Sequence, residues 1–274
     1  MRARLRRLAF AAATLFGLPR GFFIPYRYAA SAARADYPAL RPLFAAAEPR
    51  FAALLEAIEA YRGDLLSIAA GDGPARFDQD WFPRLDAAAA YALVRRERPR
   101  RIVEIGSGHS TRFLARAVAD GSLATEITCI DPAPRAAIAA LGVHHRSELL
   151  AAADPDLFAG LAAGDILFID SSHIAMPGTD VDRLVLDVLP RLAAGVLVHV
   201  HDIFLPDAYP PEWAWRGYNE QLLVGALIQG GAFDLVFASR YAATRMIPRL
   251  AGSVLAVLPL LAEAHETSLW LRKL

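Results

Sequence analysis

The sequence predicts an α/β protein built on a doubly wound, Rossmann-like parallel sheet, with a helical extension at its N-terminal end. Three observations carry this. From residue 101 onward, short β-branched runs alternate with helical patterns, the signature of parallel strands joined by crossover helices. The first run breaks directly into a glycine turn, Gly106-Ser107-Gly108. Three later runs end in carboxylates, at Asp131, Asp170 and Asp202, and in such sheets ligands sit outside the carboxyl ends of the strands.

In order along the chain, residues 1–85 are alanine-rich and helical in pattern, punctuated by Pro19, Pro25, Pro38, Pro42 and Pro49. An amphipathic helix is expected over 51–61 and another around 85–96, after the aromatic segment 77–82. Strands are expected at 101–105, 126–130, 142–146, 165–169 and 195–200, and two more at 233–238 and 268–272. The division follows: 1–85 as a helical cap or dimer surface, 86–274 as the ligand-binding domain. The 274 residues are enough to bury a full core.

The glycine turn supplies the first candidate site. Residues 101–112 read RIVEIGSGHSTR: strand, turn, helix start. Gly106 and Gly108 let the backbone approach a ligand, with Ser107 between them, and Ser110 or Thr111 can cap the helix. A pyrophosphate would want a third glycine where Thr111 stands. Glu104, inside the strand, suits an amino-acid ammonium group better than a phosphate. Asp131, at the tip of the second strand, suits a ribose diol. Between a dinucleotide and S-adenosylmethionine, these residues favour the latter; a plain tight turn is the bland alternative.

The second candidate site lies at two neighbouring strand tips. If the strands ending at Asp170 and Asp202 pair, the two acids lie about 5–7 Å apart, from the ~4.8 Å strand spacing. Carboxylates that close call for a proton or a cation, and a divalent cation such as magnesium is expected, with His201 as a third ligand or as an orienter of one. His173 is the candidate base for a hydroxyl, because the only lysine is Lys273. N-capping is the alternative for the acids and for His173. His199 lies deeper in its strand and reads as a core histidine. His109 touches the cofactor or faces solvent. No partner can be named for His144 and His145. The segment after Asp202 reads as a lid, with Asp207, Tyr209, Trp213, Trp215 and Tyr218 suited to a sugar ring or an aromatic alcohol.

Composition bounds the partners. Lysine plus arginine and aspartate plus glutamate both number 29, so no global field draws nucleic acid, and a small-molecule acceptor is expected. One cysteine, Cys129, excludes an internal disulfide and fits a reducing cytosol. Arg2, Arg4, Arg6 and Arg7 precede the apolar run 8–16. That run is too short to span a bilayer and lacks a small-x-small cleavage site. The expectation is a basic amphipathic helix that packs on its own domain or rests on a membrane surface of a cytoplasmic protein.

The segment GDILFIDSSH, followed by HDIF, YPPEW and the Asn219-Glu220 step, resembles class I S-adenosylmethionine-dependent methyltransferases of the Methyltransf_24 type, from about residue 75 to the end. The resemblance implies a seven-stranded sheet with its last strand antiparallel. The D-x-S-H pattern is also similar to metal-dependent sugar O-methyltransferases, which implies Asp170 as metal ligand and His173 as base. Their Glu-Asp metal pair stands here as His201-Asp202. Two rival readings are a nicotinamide-dependent oxidoreductase, weakened by the missing third glycine, and a non-catalytic membrane-associated protein on the same scaffold, opposed by the retained Asp170, His173 and Asp202. Binding of S-adenosylhomocysteine against NAD separates the first rival, and turnover separates the second.

Overall fold

The computed structural model describes residues 2–18, 20–22, 24–32 and 35–274. Seven strands form one sheet: β1 (Arg101–Ile105), β2 (Glu126–Ile130), β3 (His144–Arg146), β4 (Ile166–Ile169), β5 (Leu197–Val200), β6 (Phe233–Ala238) and β7 (Leu269–Lys273), in the spatial order β3-β2-β1-β4-β5-β7-β6. The first five run parallel. β7 is antiparallel to both neighbours and lies between β5 and β6. β4 and β5 are buried throughout, as strands covered on two faces must be. β3 is an exposed edge and shorter than the expected 142–146.

Helix α1 (Arg2–Leu15) opens the chain. α2 (Arg41–Ala60), α3 (Arg62–Ala69) and α4 (Arg84–Glu97) precede the sheet. α2 starts ten residues before the expected Phe51 and passes through Pro49. Proline removes one interior hydrogen bond, and the buried apolar face outweighs that loss. Phe51 stacks edge-on against Phe237 and Tyr241, and Phe44 also meets Tyr241. Each fully buried aromatic contributes on the order of 2–3 kcal/mol. In α4 every residue from Leu85 to Val94 is buried; its alanines let it lie close to α2 and α5 (His109–Asp120). Thus residues 40–94 share one continuous core with the sheet. Helices α6 (Glu220–Gln229) and α7 (Ser239–Arg245) flank β6.

α1 departs from the packed alternative read from the sequence. Leu5, Leu8, Leu15 and Phe16 are all exposed, and among the described residues no fully buried core residue precedes Leu40. No helix among the described residues is long and apolar enough to cross a membrane.

Candidate active site

The site lies along the carboxyl ends of β2, β1, β4 and β5, where one glycine decides the geometry. Gly106 turns the chain at φ +77°. A Cβ there would stand 1.9 Å from the main-chain oxygen of Asp170, so only glycine lets β1 and β4 end side by side. Past it, the Ser107 N–H and hydroxyl both donate to Asp131 Oδ2, at 2.7 and 3.1 Å, and the Ala133 N–H donates to Oδ1 at 2.7 Å. Asp131 is half-buried and ties the glycine turn to the β2 tip. A carboxylate offers roughly four lone-pair sites, so capacity remains for an incoming hydroxyl. His145 Nε2 lies 2.8 Å from the Asp131 carbonyl oxygen, a partner the sequence did not reveal. His109, in the first turn of α5, is half-buried. Burial, then Arg112 and Arg76, hold its pKa below the usual histidine value.

Glu104 departs from its expected role. Its carboxyl is fully buried and is bound by the chain itself. Ser110 Oγ donates to it at 2.7 Å, Thr111 Oγ1 at 2.6 Å and Cys129 Sγ at 3.2 Å. It holds the start of α5 against β1 instead of facing an ammonium group. Burial pushes its pKa up to about 7. The hydroxyls expected to cap α5 are thereby committed: Gly108 is the residue before the helix, and its N–H donates to Thr111 Oγ1 at 2.9 Å.

At the acceptor end, β4 pairs with β5 through Ile169 and Val200. Asp170 and His201 follow side by side at the two tips. His173 is buried beneath them. Its Nε2 faces Asp170 Oδ1 at 3.2 Å and Asp202 Oδ2 at 3.4 Å, and its Nδ1 faces Glu220 Oε2 at 2.9 Å. Backbone bonds fix the same contact, since the Asn219 and Glu220 N–H groups donate to the His173 carbonyl at 3.1 and 3.3 Å. His173 and Asp202 adopt φ values of +60° and +56°, a conformation disfavoured for side-chain-bearing residues and concentrated at functional sites.

His201 is buried, not at the rim where the sequence placed it. Its Nε2 lies 3.3 Å from Asp86 Oδ2, and its Nδ1 faces Asp170 and Asp202 at 3.5 and 3.6 Å. Asp86 is fully buried and accepts from the N–H groups of Thr267 and Ser268 at 2.9 and 2.8 Å. Each histidine is thus held on one side by a buried carboxylate and turned on the other toward the strand-tip acids. Burial alone would lower the pKa of His173; the hydrogen bonds to Asp170 and Glu220 and the charge of Asp202 outweigh it and hold it well above the usual value. For His201 burial is likewise outweighed, by Asp170, Asp202 and Asp86. Asp170 moves the other way: burial would raise it, and the two histidines hold it well below the carboxylate range. Glu220 is raised, because burial outweighs His173. His199 is the core histidine expected, stacked 3.7 Å from Phe168 and bonded to Ser268 Oγ at 2.8 Å.

The metal set expected at Asp170, Asp202 and His201 does not fit this arrangement. Among the described residues no group of three histidine, cysteine or acidic side chains is disposed to hold a metal. The acid oxygens face imidazole nitrogens, and Arg216 Nη1 stands 3.9 Å from Asp202 Oδ2. Nitrogen donors hold the position read from the sequence as a cation's.

A cavity of about 360 Å³ opens against Tyr218, and His173 is not among its lining residues. Tyr209, Trp213 and Tyr218 line it, with Asp36, Tyr37 and Asn219. The Tyr218 ring lies 4.6 Å from that of His173. Asp207 and Trp215 do not line it: Arg245 holds Asp207 at 2.5 and 2.9 Å, and Trp215 faces solvent. The 35–37 wall comes from the N-terminal region, pinned where Tyr37 N–H donates to the Pro206 carbonyl and Ala208 N–H to Asp36. Sequence reasoning missed Asp86, Glu220 as a partner of His173, Arg216 and this wall. Only Glu220 had left a signal, in the Asn219-Glu220 step.

Residues 103–203 match the Methyltransf_24 family, described as a methyltransferase domain. No curated protein matches the chain. Among solved structures, a methyltransferase from Geobacter sulfurreducens is 16% identical over 77% of this chain and 87% of its own, with a TM-score of 0.41. The SAH-bound Podospora anserina methyltransferase PaMTH1 is 16% identical over 93% and 99%, with a TM-score of 0.41. An O-methyltransferase from Bacillus cereus in complex with SAH is 17% identical over 64% and 82%, with a TM-score of 0.38.

Proposed function

We propose that this chain, whose residues 103–203 match a methyltransferase-domain family, is a class I S-adenosylmethionine-dependent methyltransferase that methylates the hydroxyl oxygen of a small ring-shaped acceptor, a sugar or an aromatic alcohol. The observation that carries this reading is His173, held between Glu220 and the pair Asp170 and Asp202, with the Tyr218 ring at 4.6 Å linking it to an aromatic cavity.

The glycine turn and Asp131 are the residues that would hold S-adenosylmethionine, which supplies a methyl group on a sulfonium. Asp131 fits because it stands half-exposed at the β2 tip with accepting capacity left. An alcohol must lose a proton as its oxygen is methylated. His173 is the group placed to take it: Glu220 fixes Nδ1 and with it the ring orientation, leaving Nε2 as the exchanging nitrogen. Asp170 and Asp202, which face Nε2 at 3.2 and 3.4 Å, accept from the N–H formed when the proton arrives. His201, braced by Asp86, supports the two acids from below. The acceptor lies in the cavity, its ring against Trp213 and Tyr218 and its polar edge toward Asn219 and Asp36. Aromatic walls with a few convergent polar groups suit such a ring. The bringing together of acceptor and methyl group is the larger part of the rate gain.

The test is transfer of labelled methyl to a panel of sugars, phenols and amines, with product analysis and with chelator present. The reading expects methyl ethers and no chelator effect. Methylated amines as sole products would overturn oxygen as the nucleophile. Chelator-sensitive turnover restored by magnesium would return Asp170 and Asp202 to the role of metal ligands.

A further inference from the structure

We infer that the N-terminal segment is an anchor for an anionic membrane surface, with α1 lying in the lipid interface. The observation is an apolar surface left exposed among the described residues. At about 100° per residue, Leu5, Leu8, Ala12, Leu15 and Phe16 fall on one stripe of α1, and Arg6 and Arg7 fall outside it. Leu15 and Phe16 are 85% and 86% exposed. Beyond the helix, Phe22, Ile24, Tyr26 and Tyr28 are each about 60% exposed. Scattered exposed apolar residues are ordinary; a continuous run of this size marks an interaction surface.

Charge identifies the occupant. Seven arginines and no acid precede Asp36. The whole chain is neutral, so the remainder carries the opposite excess of seven. A basic helix with an apolar stripe, followed by aromatic residues, is the composition that binds at a lipid headgroup boundary: arginines reach phosphates, leucine and phenylalanine enter the acyl edge, and tyrosines sit at the headgroup level. A second copy of the segment fits worse, since two such helices would oppose arginine to arginine. At 14 residues α1 is about 21 Å long, short of the roughly 30 Å hydrocarbon layer, so it lies on the surface. The anchor joins the body through residues 35–37, which wall the aromatic cavity. The acceptor site is thereby carried close to the membrane.

The test is sedimentation of the full chain with phosphatidylcholine vesicles, with and without phosphatidylglycerol. Binding is expected only with the anionic lipid and is expected to fall as salt rises. Arg6→Gln and Arg7→Gln should each lower partitioning roughly five-fold. Leu8→Gln and Leu15→Gln, which leave the charge unchanged, should each lower it about ten-fold or more, with the melting temperature unchanged because these side chains are largely exposed. Equal binding to neutral vesicles, no binding to either, or a melting temperature lowered by the leucine variants would overturn the anchor. A lipid-free dimer broken by the same variants would do so too, in favour of a second copy.

Discussion

The two ends of the site use carboxylates in opposite ways. At the glycine turn, Glu104 and Asp131 are satisfied by neutral donors, namely hydroxyls, a thiol and main-chain N–H groups. At the acceptor end, Asp170, Asp202 and Glu220 face two imidazoles, with Arg216 nearby, and Asp86 meets His201 as well as the N–H groups of Thr267 and Ser268. Neutral donors fix a shape with little change of charge. Ionisable donors make a site whose proton content depends on what enters it. The cofactor end is therefore a scaffold tied by neutral donors, and the acceptor end is where imidazoles and carboxylates face one another.

The sharpest way to break this contrast is His173→Ala. Turnover is expected to fall roughly 10²–10⁴-fold, the range for losing a positioned base, while S-adenosylhomocysteine affinity by calorimetry stays unchanged. Retained turnover would move proton transfer elsewhere. In the wild type, activity should rise with pH on a limb above the ordinary histidine range. The neutral imidazole is the base, and the surrounding acids hold His173 protonated to higher pH.

Next in size is the scaffold end. Folding raises Glu104 from 4.5 to about 7. The native state then binds more protons than the unfolded one in that window, so stability should fall as pH rises from about 4.5 to 7, by on the order of 3 kcal/mol. Glu104→Gln should flatten that slope in denaturant titrations run across the window; an unchanged slope would assign it to another group.

Asp131→Ala should weaken S-adenosylhomocysteine binding about ten- to hundred-fold, from the loss of one charge-assisted bond of roughly 1.5–3 kcal/mol. Unchanged affinity in a folded variant would remove Asp131 from the cofactor site. The smallest effect is expected for Glu220→Gln. Removing a carboxylate that raises His173 should shift the alkaline limb toward lower pH, and an unmoved limb would reduce Glu220 to a packing residue.

The same contrast explains what could be read from the sequence. The glycine turn, the strand tips and the acids Asp131, Asp170 and Asp202 are written in consecutive residues, so local patterns located them. The partners of the histidines are not local. Glu220 stands 47 residues from His173, and Asp86 stands 115 residues from His201. In sequence Asp86 looks like an ordinary acid in the first turn of a helix, a place where acids are favoured without any ligand. Glu104 misled for a related reason: its residue type and strand position suit a ligand contact, and only packing reveals that hydroxyls in the first turn of α5, six and seven residues on, have taken it. The N-terminal helix was legible as a helix, but its lack of packing was not, because exposure is a property of the whole molecule.

The placement of β7 has a consequence for how the protein is made. Emerging after β5 and β6, it must be threaded between them, since neither pairs with the other in the finished sheet. The N–H groups that brace Asp86 lie just before this strand, at Thr267 and Ser268. A ribosome-bound chain stalled at residue 266 would already have synthesised every acid and histidine of the acceptor site, yet would lack the clamp on Asp86 that steadies His201. Completion of the acceptor site is thus deferred to the end of synthesis. Partly made chains are expected to engage S-adenosylhomocysteine before they can turn over, and a pulse-release experiment on stalled chains would time the two events separately.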